Sequence, residues 1–390
     1  MDRLCLNKYV FIDGKKSFFK SVFSFFLSIV LVTAIIRVPF FEIGLSTFFL
    51  IISLPYALYK ISINKRFDCV IPVFLFAIIT TIFSNNLTYT VVLSKLVFCI
   101  HLVGAFNGTI DYGFFSQSTE TIACILTIMM MIQTICYYLF KINIVYLKPE
   151  YVLSENQSDV IKQYTILGFY RPSAIFLEPS HYAHFTIIAL SLSLFYKHNI
   201  KKSLFIALGC LLTTSGLGIA MCFGAFVFYI LFDERFRKKR FITIMIGLFV
   251  LLFIFLLLFQ FEFFKMAFLR IVSEETGENA IKGRLFWWGS LFESFGAIEL
   301  FFGSKIPIDN VYITGFMKII YNHGIIGYLS LFNIIFFIIL KKKSIMVTFL
   351  GILFLLLIIF ANIYNLIFMS FWICTLFAYP FTRKEEPRYE

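Results

Sequence analysis

The sequence predicts an all-α polytopic membrane protein with about 12 transmembrane helices and two long external loops. Three observations predict it. The chain of 390 residues is 60% hydrophobic and only 14% charged, and its 54 phenylalanines are more aromatic bulk than a water-soluble fold of this size can hide. Apolar runs of membrane-spanning length recur from end to end. The basic residues gather between those runs, in clusters. Lipid offers backbone groups no partner, so spans are helices or closed barrels, and the alternating pattern of barrel strands is absent.

In chain order the spans fall at about 21–36, 40–59, 69–84, 88–106, 120–140, 181–196, 203–214, 219–232, 241–260, 324–340, 344–360 and 366–381. The first follows a basic stretch (Lys15, Lys16, Lys20) with no small-residue cleavage site after it, and reads as a retained span. With the N-terminus inside, the clusters Lys60/Lys65/Arg66, Lys197/Lys201/Lys202, Arg235 to Arg240 and Lys341/Lys342/Lys343 all fall on the same side. Of the 34 Lys and Arg, 22 then lie inside, 11 outside and Lys95 within a span, as the positive-inside rule requires. "TTSGLG" (213–218) separates two short spans as a tight turn or break; one continuous helix there would put everything after it on the other side.

The chain therefore divides into an N-terminal five-span bundle (1–140), a first external loop (141–180), and four spans (181–260) with a short broken pair at 203–232. A second external loop (261–323) and three C-terminal spans with a cytoplasmic tail (324–390) follow. Both long loops are rich in aromatic and β-branched residues, which argues against disorder and for function. Seven of the eight cysteines fall within spans and no CxxC pair occurs, so they read as buried apolar residues, neither disulfides nor metal ligands. The net charge of +12 sits on one face of the predicted topology, which points to a membrane surface and not to nucleic acid. No internal repeat, P-loop or dinucleotide-binding glycine pattern is present.

"RPSAIFLEPSHYAHF" (171–185) gathers Arg171, Glu178, His181 and His184 beside an apolar run. Pro172 and Pro179 push the residues before them toward extended geometry. Ser180 is then the expected N-cap of the sixth span, with His181 and His184 on one face of its first turn. Glu178 lies just ahead of a helix N-terminus, where an anion is favoured; partial burial would act on its carboxyl in the opposite sense. An interfacial ion pair of Arg171 with Glu178 is the alternative to a functional role. The spacing is not that of a metal-binding HExxH, and no metal site is predicted. The second loop supplies Arg270, Arg284, Asp309, Asn310, Lys318 and His323, with arginine suited to bidentate recognition of phosphate. Trp287 and Trp288 are either interface anchors or faces on which sugar rings stack. Inside the membrane, Lys95 and His101 stand out in the fourth span.

These segments resemble a family. "RPSAIFLEPSHYAHF" is similar to the Arg-x-x-[GSA]-x-[FL]-x-[DE]-Pro-[SN]-x-[FY]-[AG] segment of bacterial O-antigen and capsular polysaccharide polymerases of the Wzy type. "LLTTSGLGIA" (211–220), "KGRLFWW" (282–288) and "DNVYITGFMKIIYNHGIIGYL" (309–329) resemble, in order and placement, the elements that follow it in that superfamily, which also contains the O-antigen ligases. The match covers roughly residues 165–340. It departs at Asp309-Asn310, where the ligases usually carry His-Asn, so no catalytic histidine is carried to that position.

The resemblance implies a metal-independent glycosyltransferase, without cofactor, at the outer (periplasmic) face of the bacterial inner membrane, both termini cytoplasmic. A glycan held as undecaprenyl diphosphate passes to a hydroxyl of an incoming lipid-linked repeat unit, for O-antigen, capsule or exopolysaccharide. Glu178 is the first choice as general base, with His181 and His323 as reserves; His323 is a candidate by its chemistry, since the family often has an acidic or polar residue there. Arg171, Arg270 and Arg284 would stabilise the departing diphosphate, with Asp309, Asn310 and Trp287 lining the substrate. A chain-length regulator and a flippase are the expected pathway partners. The rival readings are a ligase, a lipid-linked oligosaccharide flippase or other transporter, and a scaffold without chemistry.

Overall fold

The computed structural model describes residues 18–34, 36–38, 41–82, 89–144, 146, 172–176, 178–213, 215–236, 260, 293, 295–304, 314–361 and 366–380. Among them the chain forms twelve α-helices and one short antiparallel ribbon. Helix α1 (Phe18–Ile29) is followed by the ribbon β1 (Arg37–Val38) and β2 (Phe41–Gly44). Then come α2 (Leu45–Asn64), α3 (Val70–Ile82), α4 (Tyr89–Phe106), α5 (Tyr112–Phe140) and α6 (Pro179–Ser191), which ends in a π-helical turn, Leu192–Tyr196. After these come α7 (Ile200–Leu212), α8 (Gly216–Phe232), the short α9 (Ala297–Phe302), α10 (Gly315–Lys342), α11 (Ile345–Phe360) and α12 (Leu366–Ala378). Helices α2, α5 and α10 are each long and apolar enough to cross a membrane, and shorter apolar helices surround them. The protein is helical and membrane-embedded. The expected span at 241–260 lies, but for residue 260, outside the described residues.

Helix ends are set by local chemistry. The Asp111 carboxylate accepts from Phe114 N (3.1 Å) to start α5, and the Asn199 side chain accepts from Lys202 N (3.1 Å) to start α7. Lys65, Lys141 and Lys343 close α2, α5 and α10 in the left-handed conformation, each placing a cation at the negative end of a helix dipole. Several buried hydroxyls are satisfied within their own helix: Thr186 donates to Tyr182 O (2.7 Å), Ser191 to Ile187 O (2.8 Å) and Thr375 to Phe371 O (2.6 Å). That is how a polar side chain is tolerated where no water competes.

Contacts sort the helix ends onto two faces. Lys341 pairs with Asp68 (3.0 Å), and Arg66 N donates to the Asn107 side chain (2.9 Å). Lys342 Nζ donates to Tyr379 O, Lys202 pairs with Glu120 (3.2 Å), and His198 lies 3.7 Å from Asp233. The α2–α3, α4–α5, α6–α7, α8 and α10–α11 ends and the end of α12 thus share one face, the one that carries the lysine clusters. On the opposite face Gly315 N donates to Ala361 O (2.8 Å), and the start of α6 packs on the start of α12 through His181 and Phe368.

This arrangement also answers whether 203–232 is one helix or two. The chain breaks at Thr213–Ser215, the Ser215 hydroxyl accepts from Gly218 N (3.4 Å), and α8 returns to the face where α7 began. At 13 residues α7 rises only about 20 Å, short of a ~30 Å hydrocarbon layer. The core centres on α6, where every residue from Tyr182 to Ser191 is buried. Phe185 stacks on Phe371 with centroids 5.7 Å apart.

Candidate functional site

The start of α6 follows from its two prolines, with one correction to the sequence reading. Glu178, not Ser180, is the N-cap: it is extended (φ −131°, ψ 146°), and Pro179 takes the first helical position. Proline suits that position because its missing N–H would be unpaired there and its φ is preset for the helix. The Ser180 hydroxyl instead donates to Glu178 Oε2 (2.9 Å), holding an exposed carboxylate at the mouth of the helix. His181 and His184 share a face as expected, with ring centroids 6.5 Å apart and both rings against Phe368 of α12 (5.1 and 5.8 Å). His181 is half-buried and His184 buried.

Ahead of Glu178 the chain makes a turn that sequence reasoning missed. The Ser173 hydroxyl donates to Phe176 O (2.7 Å) and Phe176 N donates back to Ser173 O (2.9 Å). Ala174, inside that turn, is left-handed at φ 53°. Gln133 of α5 grips it from both sides: its Oε1 accepts from Ala174 N (2.9 Å) and its Nε2 donates to Ala174 O (3.3 Å). A lone amide in the apolar run "MMMIQTICYYLF" was the available signal, since a polar group at that depth needs a partner.

His323 is built differently. Helix α10 begins at Gly315, so residues 315–323, read from sequence as the end of a loop, are helical. The run "YNHG" lowers local hydropathy without breaking the helix until Gly324. There the backbone leaves helical geometry (φ 66°, ψ −176°), in a region that only glycine occupies comfortably. Gly303, at the end of α9, is in the same kind of conformation (φ 92°, ψ 158°). The two cross backbone to backbone. A methyl on Gly324 would strike the Phe301 carbonyl, and one on Gly303 would lie 2.7 Å from His323 N. Ser304 N donates to Tyr321 O (2.7 Å), tying α9 to the turn that carries His323. His323 is buried, and Lys95 of α4 lies close enough to act on it electrostatically.

Glu178 and His181 at the start of α6, and His323 in the first half of α10, each lie toward the face opposite the lysine-rich one. His101, an intramembrane candidate of the fourth span, is held from three sides: its Nδ1 donates to Val97 O (2.7 Å), Nε2 meets the Ser53 hydroxyl (2.9 Å), and Phe23 stacks on the ring. The carbonyl can only accept, which fixes the proton on Nδ1 and leaves Nε2 for Ser53. The seven described cysteines are free thiols. Arg171, Arg270, Arg284, Trp287, Asp309 and Asn310 lie outside the described residues. Comparison of the chain with family models, with curated proteins and with solved structures finds no match.

Proposed function

We propose that the protein is a polysaccharide polymerase of twelve spans. It joins lipid-diphosphate-linked repeat units by glycosyl transfer at the outer face of a bacterial inner membrane, both termini cytoplasmic. The observation that carries this reading is the segregation of its polar groups. The lysine-rich helix ends share one face, while Glu178 and His181 at the start of α6, and His323 in the first half of α10, lie toward the other, at the segments whose sequence resembles the polymerase motifs. A sugar–diphosphate bond already stores the energy of transfer, so the residues need only take a proton from the acceptor hydroxyl and stabilise the departing charge. Glu178 fits the first role: it is exposed, and Ser180 fixes its carboxylate at the start of α6. The arginines of the two loops, Arg171, Arg270 and Arg284, take the second role.

A deletion strain complemented with variants tests this. Loss of the protein is expected to leave single repeat units on the cell surface, and Glu178→Gln to reproduce that loss. Full-length glycan in both would refute the reading. A second reading, transport of the lipid-linked glycan, draws on the broken helix α10, a feature of transporter binding sites. It predicts that thiols placed at 150 and 275 are labelled from the cytoplasm in one state; labelling only from outside favours the polymerase.

A further inference from the structure

The grip of Gln133 on Ala174 spans 41 residues of sequence and uses the amide almost completely. One side-chain oxygen accepts from Ala174 N, and the two amide protons go to Ala174 O and to Ile144 O (3.0 Å). Both Gln133 and Ala174 are buried. Three groups are thereby fixed together: helix α5, the segment that leaves it, and the turn that leads into α6. The left-handed region is sterically unfavourable for an L-residue, and the methyl of Ala174 offers no hydrogen bond to offset it. A buried amide without partners would be costly in turn, so clamp and turn hold each other in place.

What the turn delivers is Glu178. Phe176 closes the turn by bonding to Ser173, and its ring packs edge-on against Tyr182 (centroids 6.0 Å) and tilted on Phe185 (6.0 Å) of α6. Glu178 follows two residues later as the extended cap. The carboxylate thus emerges from a segment with one end clamped to α5 and the other set by Pro179. Strain held at such a place by a dedicated side chain is the pattern of a site whose geometry matters more than its stability.

We propose that Gln133 is a positioning residue for Glu178, holding Ala174 in the left-handed turn that sets where the carboxylate meets the acceptor hydroxyl. This rests on the polymerase reading above. The chemistry needs the base within hydrogen-bond reach of the hydroxyl it deprotonates, and a displacement of about 1 Å can lower the rate roughly 100-fold.

Two arms test it in membranes of the deletion strain expressing the full chain. In the first, turnover is measured on lipid-linked repeat units extracted from that strain. Gln133→Leu is expected to lower kcat roughly 10- to 100-fold with KM within about threefold of wild type. Ala174→Gly alone is expected to be near neutral, because glycine adopts φ 53° freely. Added to Gln133→Leu, it is expected to restore kcat by roughly tenfold. Gln133→Asn, one methylene too short for the clamp, substitutes if the leucine variant does not accumulate. In the second arm Glu178→Cys, in a cysteine-free chain, is labelled with a membrane-impermeant maleimide. Gln133→Leu is expected to change the labelling rate at least about fivefold, and Ala174→Gly to reverse the change. Unchanged labelling, a rise in KM with kcat intact, or no rescue by Ala174→Gly overturns the inference while leaving the polymerase reading standing. Full-length glycan in the deletion strain overturns that reading, and the positioning role with it, even where labelling responds.

Discussion

The two faces of the protein treat charge in opposite ways. On the lysine-rich face cations are neutralised by specific partners. Glu120, buried on α5, accepts from Ser116 (3.0 Å) and pairs with Lys197 (3.6 Å) and Lys202 (3.2 Å), Asp68 holds Lys341, and Asp233 holds Arg235 and faces His198. All four lysine and arginine ion pairs between described residues lie there. On the other face the polar groups are held by backbone geometry: a glycine crossing at His323, a proline-led cap at Glu178, an amide clamp at Ala174. The lesson is a division of labour. Ion pairs join helix ends, a task that tolerates small displacements. Backbone devices fix side chains whose direction matters, which ion pairs between long flexible chains do poorly.

The largest effect that would break this comparison belongs to Gly324. Gly324→Ala forces a methyl onto the Phe301 carbonyl and a side chain into a conformation reserved for glycine. The crossing must open and His323 must move. Glycan chain length should collapse to single repeat units, with turnover down at least roughly 100-fold. Gly224→Ala is the matched control. Gly224 lies in α8 with open space around it, and alanine there should be neutral or stabilising by up to about 1 kcal/mol through helix propensity. Equal chain-length profiles for the two variants would show that the crossing holds nothing the reaction needs.

Much of the fold was legible because its rules are one-dimensional. Span periodicity, clusters of lysine and the glycine-serine break at 213–218 act within a few residues, and the structure places the helix ends on the faces those rules imply. Pro179 told correctly that Glu178 is extended; it hid the cap because Ser180 is the better cap by type and proline excluded it by position. The devices at the site were illegible for a different reason. Nothing about Ala174 announces a left-handed residue, since alanine seldom adopts it, and the cause sits 41 residues away on α5. Gly303 and Gly324 look like two unrelated glycines until the ends of α9 and α10 cross. Residues 315–323 read as loop because Lys318, Asn322 and His323 dilute the apolar signal, although helix geometry tolerates all three.

A smaller effect should follow at Glu120. Glu120→Gln keeps an acceptor for Ser116 and removes the charge between two lysines whose side chains remain about a third exposed. Water reaches those ammonium groups, so the loss should be moderate, on the order of 1–3 kcal/mol, well below that of a fully buried pair. Thermal unfolding in detergent measures it. Turnover per folded molecule should stay at the wild-type value if, as proposed, the reaction takes place on the opposite face. A fall in turnover without a fall in stability would break the division between the faces.

The smallest effect concerns pH and lies at His198, in the connection between α6 and α7. Burial, helped by the neighbouring Arg235, pulls its imidazole below the ordinary value of 6.5, while Asp233 and the Leu194 carbonyl pull the other way. In the unfolded chain the ring takes its proton near 6.5; in the folded one it does so only at lower pH. Over that interval the unfolded state binds more protons, so stability is fully present above about 6.5 and is lost as pH falls toward the folded value. The side chain is 37% exposed, so solvent screening holds the effect under about 1 kcal/mol. His198→Asn tests it without disturbing the backbone, since asparagine accepts the left-handed conformation found at this position (φ 53°). Unfolding temperatures measured at pH 7.5 and 5.5 should fall further for the wild type than for the variant. If the two fall equally, burial at this corner does not set the imidazole's charge. A smaller fall for the wild type would instead show that the Asp233 pairing dominates and holds the proton on the ring.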